Sequence, residues 1–344
     1  MLKISIDAMG GDFGPKVIVP ACDIALSRYD ELEILIVGEE KETLPLFLKS
    51  DFKGNGRFEF FPATDKIEMD DKPSTALRNK KDSSMRVALD LLKGGDCSAC
   101  VSAGNTGALM AIARFVLHML PGIDRPAICS AMPSISNPTY MLDLGANVDS
   151  SAEKLIQFAV MGSVLAQTVG RKERPRIALL NVGAEEIKGS EVVKKAASLM
   201  ESTTLNYVGY AEGNDIFNGK FDVIVCDGFV GNIALKSSEG VARMLSAFAK
   251  EAFNRSFVTR LAALFAVPSL NYLKARADPG KYNGASLLGL QKTVVKSHGS
   301  ADAGSFARAI EVAMEESKAE VPIKISELLK RTLAANEFNN DQSA

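Results

Sequence analysis

The chain has 344 residues, 47% hydrophobic and 24% charged, a balance ordinary for a water-soluble globular protein. Lys and Arg number 40 against 42 Asp and Glu, so the net charge of −2 excludes a global pull toward nucleic acid, and any anion-binding function must be local. No apolar run approaches the roughly 20 residues of a spanning helix, and the five scattered cysteines form no secreted disulfide frame. The length allows about two domains or one large α/β domain. The opening MLKISID reads as a strand rather than a signal peptide, which leads us to expect a cytoplasmic protein.

Leu2 to Ile6 reads as a strand running into Asp7-Ala-Met-Gly-Gly-Asp12-Phe-Gly14-Pro15, with a helix from about Lys16 to Ser27. Met9 and Gly10 break the first Gly-x-Gly of a dinucleotide turn. Asp7 and Asp12 would repel a pyrophosphate unless a metal intervened; they could equally hold the turn through side-chain-to-backbone bonds. Leu32 to Val37 and Phe58 to Phe61 read as strands around a helix ending near Leu48. Arg78, Lys80 and Lys81 cluster before a helix from Ser83 to Lys93 with Met85, Ala88, Leu89 and Leu92 on its apolar face. Cys97 and Cys100 have redox spacing, but side chains three apart on a strand point to opposite faces, which favours core packing.

The stretch CVSAGNTGALMAIARFVLH, Cys100 to His118, is the most informative. A strand end at Val101 breaks into Ser102-Ala-Gly104-Asn105-Thr106-Gly107, and apolar residues then return at helical spacing through Leu109, Ile112, Ala113 and Val116. Glycines let backbone amides crowd a ligand. The helix start supplies unpaired N–H groups and a positive dipole end, so this arrangement suits phosphate. Further on, strands are expected at Ala127 to Ala131, Thr139 to Leu144, Arg176 to Leu180, Leu205 to Tyr210, Phe221 to Cys226 and around Val294. Helices are expected at about Ser151 to Val169, up to Glu201, Ile233 to Asn254, Ser305 to Glu316 and Ile323 to Ala334.

Such alternation predicts an α/β protein with a mostly parallel sheet flanked by helices (α/β/α). Ligands lie at the carboxyl ends of parallel strands. Those ends carry Asp7, Asn105, Asp143, Asn147, Asn181, Lys188, Asp227, Asn232 and His298, and one convergent edge is expected. His298, in a glycine turn, is the better catalytic candidate of the two histidines; His118 lies in an apolar helix. No Cys/His cluster has zinc spacing and no Gly-x-Ser-x-Gly elbow is present. What remains is a site for phosphate and a polar carbonyl, where positioning and oxyanion stabilisation matter more than a strong base.

Six motifs in order resemble the bacterial phosphate acyltransferase family of phospholipid synthesis: Asp7 to Asp12, Ala76 to Met85, Ser102 to Ala108, Leu142 to Asn147, Asn181-Val-Gly183 with Lys188-Gly189, and Asp227 to Asn232. The resemblance runs from residue 1 to about 333. It implies transfer of a fatty acyl group from acyl carrier protein to inorganic phosphate, giving acyl phosphate and free carrier. It also implies a fold like isocitrate and isopropylmalate dehydrogenases and phosphotransacetylase, a homodimer and no organic cofactor; no residue is assigned to a metal. A membrane glycerol-3-phosphate acyltransferase is the implied consumer of the product. Carried over by motif, Lys188 and Asn232 are the expected catalytic pair, with His298 beside them. The expected substrate and phosphate contacts are Asp7, Gly10, Gly11, Ser102, Gly104, Asn105, Thr106, Gly107, Asn147, Asn181 and Asp227. A nicotinamide-dependent decarboxylating dehydrogenase of the same fold, with Asp227 on a metal, and a non-enzymatic acyl-binding regulator are the alternatives.

The domain expectation is one α/β unit over 1–333, a helical hairpin over about 241–277 protruding from it, and a polar tail over 334–344. LAALFAVPSLNYL, Leu261 to Leu273, carries no charge, is too short to span a bilayer, and contains Pro268, expected to break a helix. It reads as a hairpin tip exposing Leu261, Leu264, Phe265, Val267 and Leu270 to the membrane surface. Flanking Arg255, Arg260, Lys274 and Arg276 would meet anionic lipid or the acidic carrier protein. Packing of the same residues in the core or a dimer interface would give the same composition.

Overall fold

The computed structural model of the protein describes residues 1–277 and 279–341; for 271, 273–277, 279 and 333–341 it describes the backbone alone. β1 (Leu2–Asp7), β2 (Leu32–Glu39) and β3 (Phe58–Ala63) alternate with α1 (Pro15–Arg28) and α2 (Glu40–Phe47). α3 (Pro73–Asn79) and α4 (Ser84–Gly94) precede β4 (Ala99–Ser102), and α5 (Thr106–Leu117) follows it. β5 (Ala127–Met132) and β6 (Thr139–Leu142) lead to α6 (Ala152–Thr168), β7 (Ile177–Leu180), α7 (Glu191–Glu201), β8 (Tyr207–Ala211) and β9 (Val223–Val225). The chain continues through α8 (Gly228–Asn254), α9 (Phe257–Ala277), β10 (Ala285–Leu288), β11 (Thr293–Lys296), α10 (Ala303–Lys318) and α11 (Val321–Asp341).

Period-2 alternation assigns the two faces of the sheet. Ile4, Ile6 and Val101 meet α1 and α10 through Ile18, Leu26, Phe306 and Ile310, while Cys100 and Val294 pack on Leu89, Leu109 and Ile112 of α4 and α5. Val223 and Val225 meet α6 and α11 on one face, and Ile224 between them faces the other. Both faces are therefore covered, as a mostly parallel sheet requires. Cys97 and Cys100 are buried in the same core.

Among the described residues the strand order is β3-β2-β1-β4-β11-β10-β5-β6-β9-β7-β8. Seven neighbouring pairs are parallel; β11–β10, β10–β5 and β5–β6 are antiparallel. Three reversals are an odd number, so β6, β9, β7 and β8 run against β1, β2, β3, β4 and β11. Their carboxyl ends leave at opposite edges of the sheet. This corrects the expectation of a single convergent edge, which holds only where the strands share one direction. Residue patterns report burial and period, not strand direction. The first edge carries Asp7, Ser102 and Lys296; the second carries Asp143, Asn181 and Asp227.

α8 begins at the second edge and its 27 residues span about 40 Å at 1.5 Å each. From Ile233 onward no residue of α8 is fully buried, and it projects together with α9. Reciprocal bonds, Ser256 N to Thr259 Oγ1 and Thr259 N to Ser256 Oγ, start α9 immediately. The hairpin therefore turns at Arg255–Ser256, before the apolar stretch expected at its tip. α9 also continues through Pro268, contrary to the expected break. In an exposed helix, water can replace the one bond that proline removes. α11 carries helical backbone to Asp341, through most of the stretch expected as a tail.

Candidate active site

At the first edge, β1, β4 and β11 end in one register row, with Asp7 beside Ser102 and Ser102 beside Lys296. Asp7 is buried and its carboxylate accepts Ser84 Oγ and Ser102 Oγ, each at 2.6 Å, and Met9 N at 3.3 Å. Burial pushes this carboxyl up; the two hydroxyls and the amide oppose the shift. Ser102 Oγ in turn accepts Gly104 N at 3.0 Å. Lys296, 9% exposed, donates from Nζ to Ala103 O at 3.1 Å and to Ser297 O. Burial pulls its ammonium down to about 8 against the pull of Asp7 and Asp12.

The three loops leaving these strands touch backbone to backbone. A Cβ on Gly10 would stand 2.5 Å from Gly104 N, and one on Gly11, at φ +83°, would stand 2.7 Å from Gly299 O. Asp12 N also donates to Gly299 O at 2.8 Å. Glycine is thus required where the loops cross. Asn105 caps α5 by accepting Ala108 N at 3.0 Å, and its amide donates to Met69 O and Asp71 O. Its side chain is occupied. Thr106 and Gly107 open the helix, where first-turn N–H groups have no acceptor inside the helix.

His298 follows β11. Its backbone N donates to Asn283 Oδ1 at 2.9 Å, and Nδ1 faces Ser300 N at 3.2 Å and Ser300 Oγ at 2.9 Å. A backbone N–H can only donate, so Nδ1 accepts and the neutral ring carries its proton on Nε2. Burial lowers the imidazole below its ordinary range, with Lys236 and Lys296 acting the same way and Glu239 opposing. Lys236 and Glu239 form an ion pair at 3.0 Å on α8. Asn232, Lys236 and Glu239 stand at i, i+4 and i+7, one face of that helix. α8 therefore presents a single polar stripe whose upper part faces the His298 loop.

At the second edge, Asp143 is buried and accepts Ile128 N, Ala146 N, Asn147 N and Asn147 Nδ2. Burial raises its carboxyl, with the Asn147 and backbone bonds opposing. Asn147 is itself buried, donating to Pro126 O at 2.9 Å, while its Oδ1 meets no protein partner among the described residues. Asp227 caps α8 through Phe229 N and holds Ser150 N. Asn181 closes the following loop by donating to Gly183 O and Lys188 O. Lys188 is half exposed and pairs with Glu185 at 2.9 Å, which raises its ammonium. Asn232 is exposed in the first turns of α8, against Gly145, where a Cβ would lie 3.4 Å from that of Asn232.

The structure thus gathers Asp7, Gly10, Gly11, Ser102, Gly104, Asn105, Thr106, Gly107 and His298 at one edge. It gathers Asn147, Asn181, Lys188, Asp227 and Asn232 at the other. Sequence reasoning missed Lys296 and Lys236. Lys236 had a signal, four residues after Asn232 on a helix; Lys296 had only its place two residues before His298. The first edge offers helix-start amides, a neutral imidazole N–H and two cations. That is equipment for holding an oxyanion and a phosphate. All five cysteines are buried, and burial raises each thiol, so none is a ready nucleophile.

The fold is similar to that of the phosphotransacylases. A phosphotransacetylase from Streptococcus pyogenes superposes with a TM-score of 0.59 at 18% identity, over 92% of this chain and 94% of that one. A branched-chain phosphotransacylase from Enterococcus faecalis does so with 0.56 at 15%, over 92% and 99%. The family described as "Fatty acid synthesis protein" matches residues 2–324. The phosphate acyltransferase of Methylococcus capsulatus is 56% identical over 336 residues, 97% of this chain and 99% of that protein. That of Alkalilimnicola ehrlichii is 53% identical, over 98% of each. The chain belongs to the phosphate acyltransferase family and is an enzyme.

Proposed function

We propose that the enzyme transfers a fatty acyl group from acyl carrier protein to inorganic phosphate, releasing acyl phosphate and free carrier. The observation that carries this reading is the first edge: three glycine loops locked around a helix start, with His298 Nε2–H and the polar stripe of α8 beside it. Phosphate sits on the Thr106 and Gly107 amides and is already nucleophilic near neutral pH. One of its oxygens attacks the thioester carbon. His298 donates a hydrogen bond to the carbonyl oxygen as charge grows there, the C–S bond breaks, and the carrier thiolate leaves with the proton that the attacking hydrogen phosphate gives up. No step in this sequence calls on a metal or an organic cofactor.

Lys188 and Asn232 are the expected catalytic pair, yet the Lys188 loop leaves the far edge. We therefore read the homodimer as the unit that completes the site, with the Lys188 edge of one copy serving the first edge of another. Exposure of Leu261, Leu264, Phe265 and Val267, with Leu270 half-buried, supports peripheral contact of α9 with the cytoplasmic membrane. Among the described residues no helix is long and apolar enough to cross a membrane. Arg255 and Arg260 are exposed and suited to acidic carrier protein; the side chains of Lys274 and Arg276 lie outside the described residues. The acyl phosphate would then pass to a membrane glycerol-3-phosphate acyltransferase. The assay is release of free carrier from acyl carrier protein with and without phosphate, and with NAD in place of phosphate. Release that does not depend on phosphate overturns the reading.

A further inference from the structure

We propose that Lys296 is a positioning residue of the acyl-transfer site, a buried cation that fixes the His298 loop against the phosphate loop. The proposal rests on placing phosphate at the first edge. Lys296 ends β11 in the same register row as Ser102 and Asp7. Its ammonium donates across to Ala103 O, the root of the loop that opens α5, and back to Ser297 O, the residue before His298. One group therefore grips both loops at their first peptide.

Each gripped carbonyl sets the direction of the next amide, because a trans peptide holds C=O and N–H on opposite sides. With Ala103 O turned toward Lys296, Gly104 N turns to Ser102 Oγ, which Asp7 holds from below. With Ser297 O turned toward Lys296, His298 N turns to Asn283 Oδ1. Ser300 then fixes the ring through Nδ1. The imidazole and the helix start thus have their separation set by Lys296 rather than by flexible loop segments.

A buried lysine is an expensive spacer, since its charge has left water. An apolar residue would finish the strand at lower cost if shape alone were needed. Asp7 stands two strands away in the row without forming a direct ion pair with Lys296 among the described contacts, so part of the positive charge is left for an anion above it. That charge also acts through a medium of low dielectric, where its pull on a phosphate dianion is stronger than at the surface.

The test is Lys296→Met, which keeps an unbranched chain of similar size and removes the donors. Kinetics are measured with phosphate and acyl carrier protein varied separately, alongside thermal melting. The expected result is a folded protein whose phosphate KM rises at least tenfold and whose kcat falls at least tenfold, with the KM for acyl carrier protein within threefold of the parent. A folded variant with parental phosphate KM and kcat overturns the proposal. If the Met variant does not fold, Lys296→Arg decides. Its larger planar guanidinium cannot occupy the place of the compact ammonium between the two carbonyls without moving the loops, so raised phosphate KM at parental melting temperature is expected, and parental kinetics overturn the proposal. Parent enzyme and His298→Ala, run in parallel, keep the failures apart. A parent without phosphate-dependent release defeats the reaction, and a fully active His298→Ala defeats the placement at the first edge.

Discussion

The bond from Ser300 N to His298 Nδ1 decides which proton the ring can offer. Protonation of the imidazole would put a hydrogen on Nδ1, facing that backbone donor, and so would cost the bond. Burial and two nearby lysines push the same way. A group with a lowered pKa stays neutral until the pH falls below its ordinary value. The kcat of the enzyme should therefore be flat down through the usual histidine range near 6.5 and fall only on the more acid side. An acid limb centred above 6.5 would contradict this. His298→Ala should lower kcat by about 10²–10³, the usual loss for one oxyanion donor. At this scale the sequence was informative where chemistry and turn propensity coincide, as in Ser102 to Gly107. It was silent on Lys296, because a lysine at a strand end reads as a surface residue until three loops close over it.

Elements differ in how far pattern alone reveals them. α5, with Leu109, Ile112, Ala113 and Val116 all buried, follows its periodicity. β10 was not expected, since four residues, Ala285–Leu288, are too few to show a period. Yet β10 is one of the strands that reverse the sheet, and it carries Ser286, whose hydroxyl donates to buried Glu316 of α10. Burial pushes Glu316 up to about 8, with Ser286 opposing and Glu315 adding to the shift. Between an unfolded value near 4.5 and about 8, the folded protein holds one more proton than the unfolded chain. Stability from this group is therefore full below about pH 4.5 and falls as pH rises toward 8, by a few kcal/mol. Glu316→Gln, which cannot ionise, should raise the melting temperature at pH 8 more than at pH 5. An equal shift at both would refute the assignment. The hairpin is a second case. Phe265 is 82% exposed and Leu264 67%, so Leu264→Glu and Phe265→Glu should leave folding intact while reducing co-sedimentation with anionic vesicles. Parental binding by both variants would remove α9 as the contact.

Strand direction is a property of the whole sheet, and it decides which residues can share a reaction. The motifs holding Ser102 and Lys188 were each legible, but their separation was not, since it depends on three antiparallel pairs in the middle of the order. From β4 to β7 there are six neighbouring-strand steps, about 29 Å at the usual spacing of about 4.8 Å. The loops also leave at opposite edges. We therefore read Lys188 as serving the phosphate loop of another copy rather than of its own chain, with the Asn232, Lys236 and Glu239 stripe of α8 lying between the two edges. If both edges serve one reaction, a second copy must bring one of them, and the symmetry of a dimer would then create two equivalent composite sites. Subunit mixing tests this. Lys188→Ala and His298→Ala homodimers should each be nearly inactive at parental melting temperature. A mixed dimer would hold one site with both substitutions and one with neither. Co-expression with two affinity tags, followed by double purification, should therefore yield about half the parental activity per dimer. Mixed dimers as inactive as their parents would mean that Lys188 and His298 do not meet across the interface, and a folded Lys188→Ala homodimer of parental activity would remove Lys188 from the mechanism.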